Sequence, residues 1–234
     1  MPILPATLAH FPTLGDLDRA RQRQPLGQPR LVWPDLLGRL VEVVGGPRSL
    51  RLAWLAQVTA AAQTAGDAAL WLQTEESAPF PPDVRAAGVA LERLPLLRLP
   101  DFAAQLRAAD VALRSGAFGL CAIDATAATL QALDATRTLD NALGRLLGLC
   151  QKHAACLLFL TPAPQPSAQR GRANEDAFDD SEGSLRTSLV SLRFAVERDR
   201  DVPGRLQLLV KKDKRHGPAS LRAEVRGGPD GFAL

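Results

Sequence analysis

From Gly38 to Leu160 the chain alternates short apolar runs with longer stretches of helical period. This alternation limits the fold more than any other feature. Leu40-Val41-Glu42-Val43-Val44 reads as a buried strand closed by Gly45-Gly46-Pro47. Residues 49–65 then read as a helix, with Leu52, Leu55, Ala56 and Val58 spaced for one face. Strands are expected at 69–72, 94–99, 118–124 and 154–160, and helices at 102–115 and 139–153. Asp101 is placed to N-cap the first of these helices. Strands apolar on both faces, with helices between them, argue for a parallel sheet covered on both sides. The expected class is therefore α/β.

Composition warns against reading too much into single residue types. Ala and Leu dominate, Tyr is absent, and the only lysines among 28 basic residues are Lys152, Lys211, Lys212 and Lys214. That points to a composition bias, so Ala-richness is weak evidence for helix and patterning carries the reading. With 46% hydrophobic residues and three Cys, neither a disordered chain nor a disulfide scaffold is expected. No apolar run approaches the roughly 20 residues a membrane span needs. No basic region followed by an apolar stretch opens the chain, so the cytoplasm is the expected compartment.

The two ends differ from the middle. Residues 1–38 carry Pro2, Pro5, Pro12, Pro25, Pro29 and Pro34 and read as an arm, with a short amphipathic helix at 14–23. Pro29 to Pro34 is expected to pack on its own core, ahead of docking a partner by strand addition. After residue 162 the pattern changes to a polar, breaker-rich segment holding Glu175, Asp176, Asp179, Asp180 and Glu182. Strand-like runs follow at 188–196, 205–210 and 220–225, with turns at Pro203-Gly204 and Gly217-Pro218. They read as antiparallel strands added at the sheet edge.

The first strand-to-helix junction is where chemistry is most expected. A phosphate-binding loop needs Gly-x-x-x-x-Gly-Lys-[Ser/Thr], because backbone N–H groups cradle phosphate, the Lys reaches the terminal phosphates and the hydroxyl ligates Mg²⁺. The chain offers Gly45-Gly46-Pro47-Arg48-Ser49-Leu50-Arg51-Leu52. The first Gly is present; Leu50 replaces the second, Arg51 the Lys and Leu52 the hydroxyl. An ordinary βα turn fits the same segment.

Several segments together resemble the RecA recombinase superfamily. They are Gly38-Arg39-Leu40-Val41-Glu42-Val43-Val44-Gly45, Gln57-Val58-Thr59-Ala60-Ala61-Ala62-Gln63, Gly66 with Ala69-Leu70-Trp71-Leu72, and Arg85-Ala86-Ala87-Gly88-Val89. Ala112-Leu113-Arg114-Ser115-Gly116-Ala117 with the run to Asp124, and Leu209-Val210-Lys211-Lys212-Asp213-Lys214, extend the likeness to about 39–227. Within the superfamily the short length and degenerate loop most resemble ImuA-like accessory proteins of the bacterial mutasome. The resemblance implies a RecA-like core over 39–227, with the arm at 1–38 and a short tail at 228–234. It places Asp124 at the Walker B acid and Glu75 at the catalytic Glu, although Glu76 is adjacent and either reads equally as a loop acid. The glutamine sensor is replaced by Thr161-Pro162. The loop that binds DNA in RecA corresponds to 163–183, where five acids outnumber Arg170 and Arg172 and repel phosphate.

The implied function is a non-catalytic adaptor in DNA-damage tolerance, part of an SOS-type mutagenic response, without ATP or Mg²⁺ as cofactor. The implied partners are an ImuB-like Y-family polymerase homologue, an error-prone replicative-type polymerase, and RecA itself. The alternatives are a single-stranded-DNA-binding recombination mediator and a RecA-related cell-division inhibitor. From Arg193 to Arg226 there are ten Lys/Arg against five Asp/Glu. Lys211, Lys212, Lys214 and Arg215 are therefore candidate contacts to a partner or to DNA backbone, and a solvated strand and turn explains them equally. With Tyr absent and Trp33, Trp54 and Trp71 all N-terminal, stacking platforms for single-stranded DNA are scarce, and DNA binding is expected to be weak and sequence-blind. Cys150-x-x-His153-x-x-Cys156 has metal-ligand residue types but only three ligands, and these cysteines, like Cys121, read as core.

Overall fold

The computed structural model describes residues 32–74, 79, 81–125, 136–162, 185, 187–198, 206–215 and 222–225. The elements in chain order are α1 (Trp33–Leu36), β1 (Arg39–Val44), α2 (Arg48–Thr64), β2 (Ala69–Gln73), α3 (Pro81–Ala86) and a 3₁₀ turn at Leu91–Arg93. They continue with β3 (Leu96–Arg98), α4 (Phe102–Ser115), β4 (Leu120–Asp124), α5 (Thr136–His153), β5 (Cys156–Thr161), β6 (Leu192–Arg198), β7 (Leu206–Asp213) and β8 (Arg222–Val225).

One eight-stranded sheet runs in the order β3-β2-β4-β5-β1-β6-β7-β8. The pairs from β3 across to β6 are parallel. Antiparallel pairing begins between β6 and β7 and continues to β8. Every residue of β1, β2, β4 and β5 is buried, as expected for a sheet covered on both faces. The alternation of side chains splits the core into two layers. Val41, Val43, Trp71, Leu158 and Phe194 face the layer that holds α2. Leu40, Leu70, Ile123 and Phe159 face the layer that holds α4 and α5. In the first layer Trp54 meets Phe194 edge-to-face with ring centroids 4.7 Å apart.

The structure bears out the mixed α/β sheet and adds detail. Asp101 does cap α4, its Oδ1 accepting from the Ala104 N–H at 2.6 Å. α3 is not among the expected elements, since Pro79, Pro81 and Pro82 punctuate that stretch of the sequence. Two of them instead open the helix, where a missing N–H costs nothing. β7 runs on through Lys211 and Lys212 to Asp213, beyond the apolar run that marked it. Asp213 is buried against the equally buried Arg39 guanidinium, which extends the pairing. The expected helix at 14–23, the acidic segment and the turns at 203–204 and 217–218 lie outside the described residues.

The end of the proline-rich arm packs on its own core. Trp33 and Leu36 are buried in the first layer. Trp33 Nε1 donates to Asp67 Oδ2 at 2.7 Å. From the other side the Arg215 guanidinium donates to the Asp35 and Leu37 carbonyls at 3.2 and 2.6 Å. Trp33→Phe keeps the ring burial and removes the donor to a charged acceptor. It should lower unfolding free energy by about 1–2 kcal/mol in urea titration.

Candidate functional site

β1, between β5 and β6 in the parallel part of the sheet, delivers the chain to the turn Gly45-Gly46-Pro47. Gly45 and Gly46 have φ of +68° and +65°, the left-handed region that disfavours a Cβ. A Cβ on Gly46 would lie 2.7 Å from the Val196 carbonyl oxygen, so β6 presses directly on the turn. Pro47 precedes α2 and offers no side-chain cap. Its carbonyl accepts from the Leu50 and Arg51 N–H groups.

Two arginines then fill the space in front of the turn. Arg51 is buried, and its Nη1 donates to the Gly45 and Gly46 carbonyls at 2.8 and 2.6 Å. Its Nε is buried without a hydrogen-bond partner. Burial pulls the Arg51 pKa below its ordinary value; Asp124 opposes this and Arg48 adds to it. Arg48 donates from Nε and Nη2 to Asp124 Oδ2 at 3.0 and 2.6 Å. Asp124 ends β4 and its side chain is almost wholly buried, whereas that of Arg48 is 39% exposed.

The structure thus brings together Gly45, Gly46, Arg51 and Asp124 from the sequence-based set. Ser49 is half-buried beside them. Leu50 and Leu52 are turned into the apolar layer around Trp54. Glu75 lies outside the described residues. Arg48 was not foreseen, since its place in the loop motif is a free position with no assigned chemistry.

The Mg²⁺-nucleotide that an intact phosphate-binding loop would carry does not fit these residues. The hydroxyl position is a core leucine, the carboxylate at the end of β4 already holds a guanidinium, and Arg51 is folded back onto the loop's own carbonyls.

A second polar cluster, also unforeseen, lies further along β1. Glu42 is fully buried, and its Oε2 accepts from Arg193 Nε at 2.7 Å. Its Oε1 accepts from Thr161 Oγ1 at 3.1 Å and from the Leu185 N–H at 2.6 Å. Arg193 Nη2 donates to the Leu185 carbonyl at 2.8 Å. Thr161 ends β5 and Leu185 lies just ahead of β6. Both ends of the 162–185 connection therefore fasten to one carboxylate.

The basic candidates divide. Lys211 is exposed at a register shift, where Arg193 pairs with Lys212 and Phe194 with Val210, leaving Lys211 as the extra residue. Lys212 is half-buried on the same strand. Lys214 Nζ donates to the Ser188 carbonyl, and Arg215 holds α1 as described. Two of the four are thus committed to backbone carbonyls of this chain.

The cysteines sit inside the protein. Burial pushes the Cys121 and Cys150 thiols up to about 12, and Cys156 is raised by the same cause. All three are protonated at neutral pH. Among the described residues no group of three His, Cys, Asp or Glu is arranged to hold a metal ion. No helix among them is long and apolar enough to cross a membrane.

The sequence matches no protein-family model and no curated protein. Among solved structures the chain is similar to the RadB recombinase, with a TM-score of 0.60 at 17% identity, over 86% of this chain and 96% of that one. At that identity the likeness is one of architecture: the chain has a RecA-like fold.

Proposed function

We propose that this protein is a RecA-like adaptor without ATPase activity, which helps assemble an error-prone translesion polymerase on damaged DNA. One observation carries the reading. The place where a RecA-like core would hold nucleotide is filled by the chain's own Arg48 and Arg51, bonded to Asp124 and to the turn carbonyls. A core kept without its nucleotide chemistry suits a binding role. The sequence resemblance to ImuA-like proteins supplies the partners: an ImuB-like Y-family polymerase homologue, an error-prone replicative-type polymerase, and RecA. The protein is expected in the cytoplasm, and neither ATP nor Mg²⁺ is expected as a cofactor.

A pull-down with the full chain from cells exposed to DNA damage tests this. Co-purification of the polymerase components is the expected result. Capture of a division GTPase in their place would overturn the adaptor reading and select a cell-division inhibitor.

The mediator reading draws on the exposed Lys211 and its neighbours Lys212 and Lys214. It requires single-stranded DNA binding that falls steeply with salt and is lost when all three become Glu. Under the adaptor reading, the same triple change leaves DNA affinity where it was, low in both proteins.

A further inference from the structure

The start of α2 is electrostatically crowded. Arg48 opens the helix and Arg51 lies one turn on, with no acid in that first turn. Cations there oppose the helix dipole, and the two guanidinium groups also repel each other. Such an arrangement needs a compensating anion, and Asp124 faces it from the end of β4. Asp124 Oδ2 takes both Nε and Nη2 of Arg48, in a position almost closed to water.

In P-loop NTPases a Walker B acid holds the divalent cation that bridges the phosphates. In this chain the acid at the end of β4 faces a guanidinium. We infer that Arg48 is a built-in substitute for that cation. It fastens the first turn of α2 to the end of β4 without any ligand, and so holds the turn in one arrangement at all times. The adaptor would then engage its partners constitutively, with no nucleotide switch. This inference rests on the non-catalytic reading of the site and deepens it.

The substitution makes a specific prediction about metal. Removing the Arg48 side chain leaves the Asp124 carboxylate without this cation and opens the space beside it. A divalent cation favours oxygen ligands of this kind. It should take over the fastening in the variant, and find no place in the wild type.

The test is thermal unfolding of the full chain with Mg²⁺ alone, at about 10 mM, in wild type, Arg48→Ala and Arg48→Ala/Asp124→Asn. Arg48→Ala is expected to melt about 3–6 °C lower than wild type. Mg²⁺ is expected to raise the Tm of that single variant by about 2 °C or more. It should leave the wild type and the double variant unmoved. A Mg²⁺ shift in the wild type, or none in Arg48→Ala, overturns the inference. If Arg48→Ala does not fold, Arg48→Gln keeps a polar side chain, removes the charge, and carries the same expectations. The two failures are distinguishable. Silence of the variant toward Mg²⁺ removes only the substitute-cation idea, whereas Mg·ATP binding by the wild type removes the adaptor reading itself.

Discussion

Glu42→Ala is expected to lower the free energy of unfolding by about 3–5 kcal/mol, the usual cost of removing one partner of a buried ion pair. The carboxylate lies in a strand buried on both faces and takes three donors, from Arg193, Leu185 and Thr161. Its removal leaves the Arg193 charge unpaired and the Leu185 N–H without its acceptor in the interior, while Thr161 keeps the Val43 carbonyl at 3.3 Å. Chemical denaturation reads the loss. Glu42→Gln keeps the size and the acceptor for the Leu185 N–H, and should cost less.

The pH dependence of that difference has a definite sign. Burial raises the Glu42 pKa above its ordinary value, and Arg193 with the Leu185 and Thr161 hydrogen bonds reverses only part of the shift. A raised folded-state pKa means the group's stabilisation is complete below the unfolded value and is lost as pH rises through the folded one. The Gln variant has no such titration. Its deficit relative to wild type should therefore shrink as pH rises from the ordinary glutamate range, which urea titrations at several pH values would show. A deficit that grows with pH would mean that Arg193 outweighs burial.

Gly46→Ala is the second large effect, expected at about 2–5 kcal/mol. A left-handed φ costs a non-glycine residue roughly 1–2 kcal/mol, and overpacking adds about 1–3 kcal/mol. The obstacle is the Val196 carbonyl 2.7 Å away, a backbone atom of a central strand that cannot swing aside. The turn must move instead, taking with it the carbonyls that hold Arg51. Substitution at Gly46 thus tests whether the turn is fixed as tightly as its arginine contacts imply. A stability change within about 0.5 kcal/mol would show that it is not.

The fold was legible from periodicity, and its edges were not. β1, β2, β4 and β5 announce themselves as apolar runs because both their faces are buried. β7 does so only in part, because its apolar run stops at Val210, and only Arg39 on β1 explains why the strand continues through Lys211 and Lys212 to the buried Asp213. α3 hid behind prolines that sit where a helix tolerates them. The site was half legible. The loop motif flagged Gly45, Gly46 and Arg51, and the strand end flagged Asp124. Arg48 was invisible because motif reasoning asks which residues are missing and assigns no role to what stands between them. Glu42 was read as one more strand residue. Its partners Thr161, Leu185 and Arg193 lie more than a hundred residues away, and no local spacing joins them.

The central claim is that Arg48, paired with Asp124, and Arg51, bonded to the turn carbonyls, stand where a nucleotide would be held. Titration calorimetry of the wild-type chain with Mg·ATP, alongside a thermal melt in the same buffer, tests it most directly. The account predicts no saturable heat and no shift in Tm. Saturable binding with a raised Tm would contradict it, because Arg48 and Arg51 would then have to leave Asp124 and the turn carbonyls to admit the ligand.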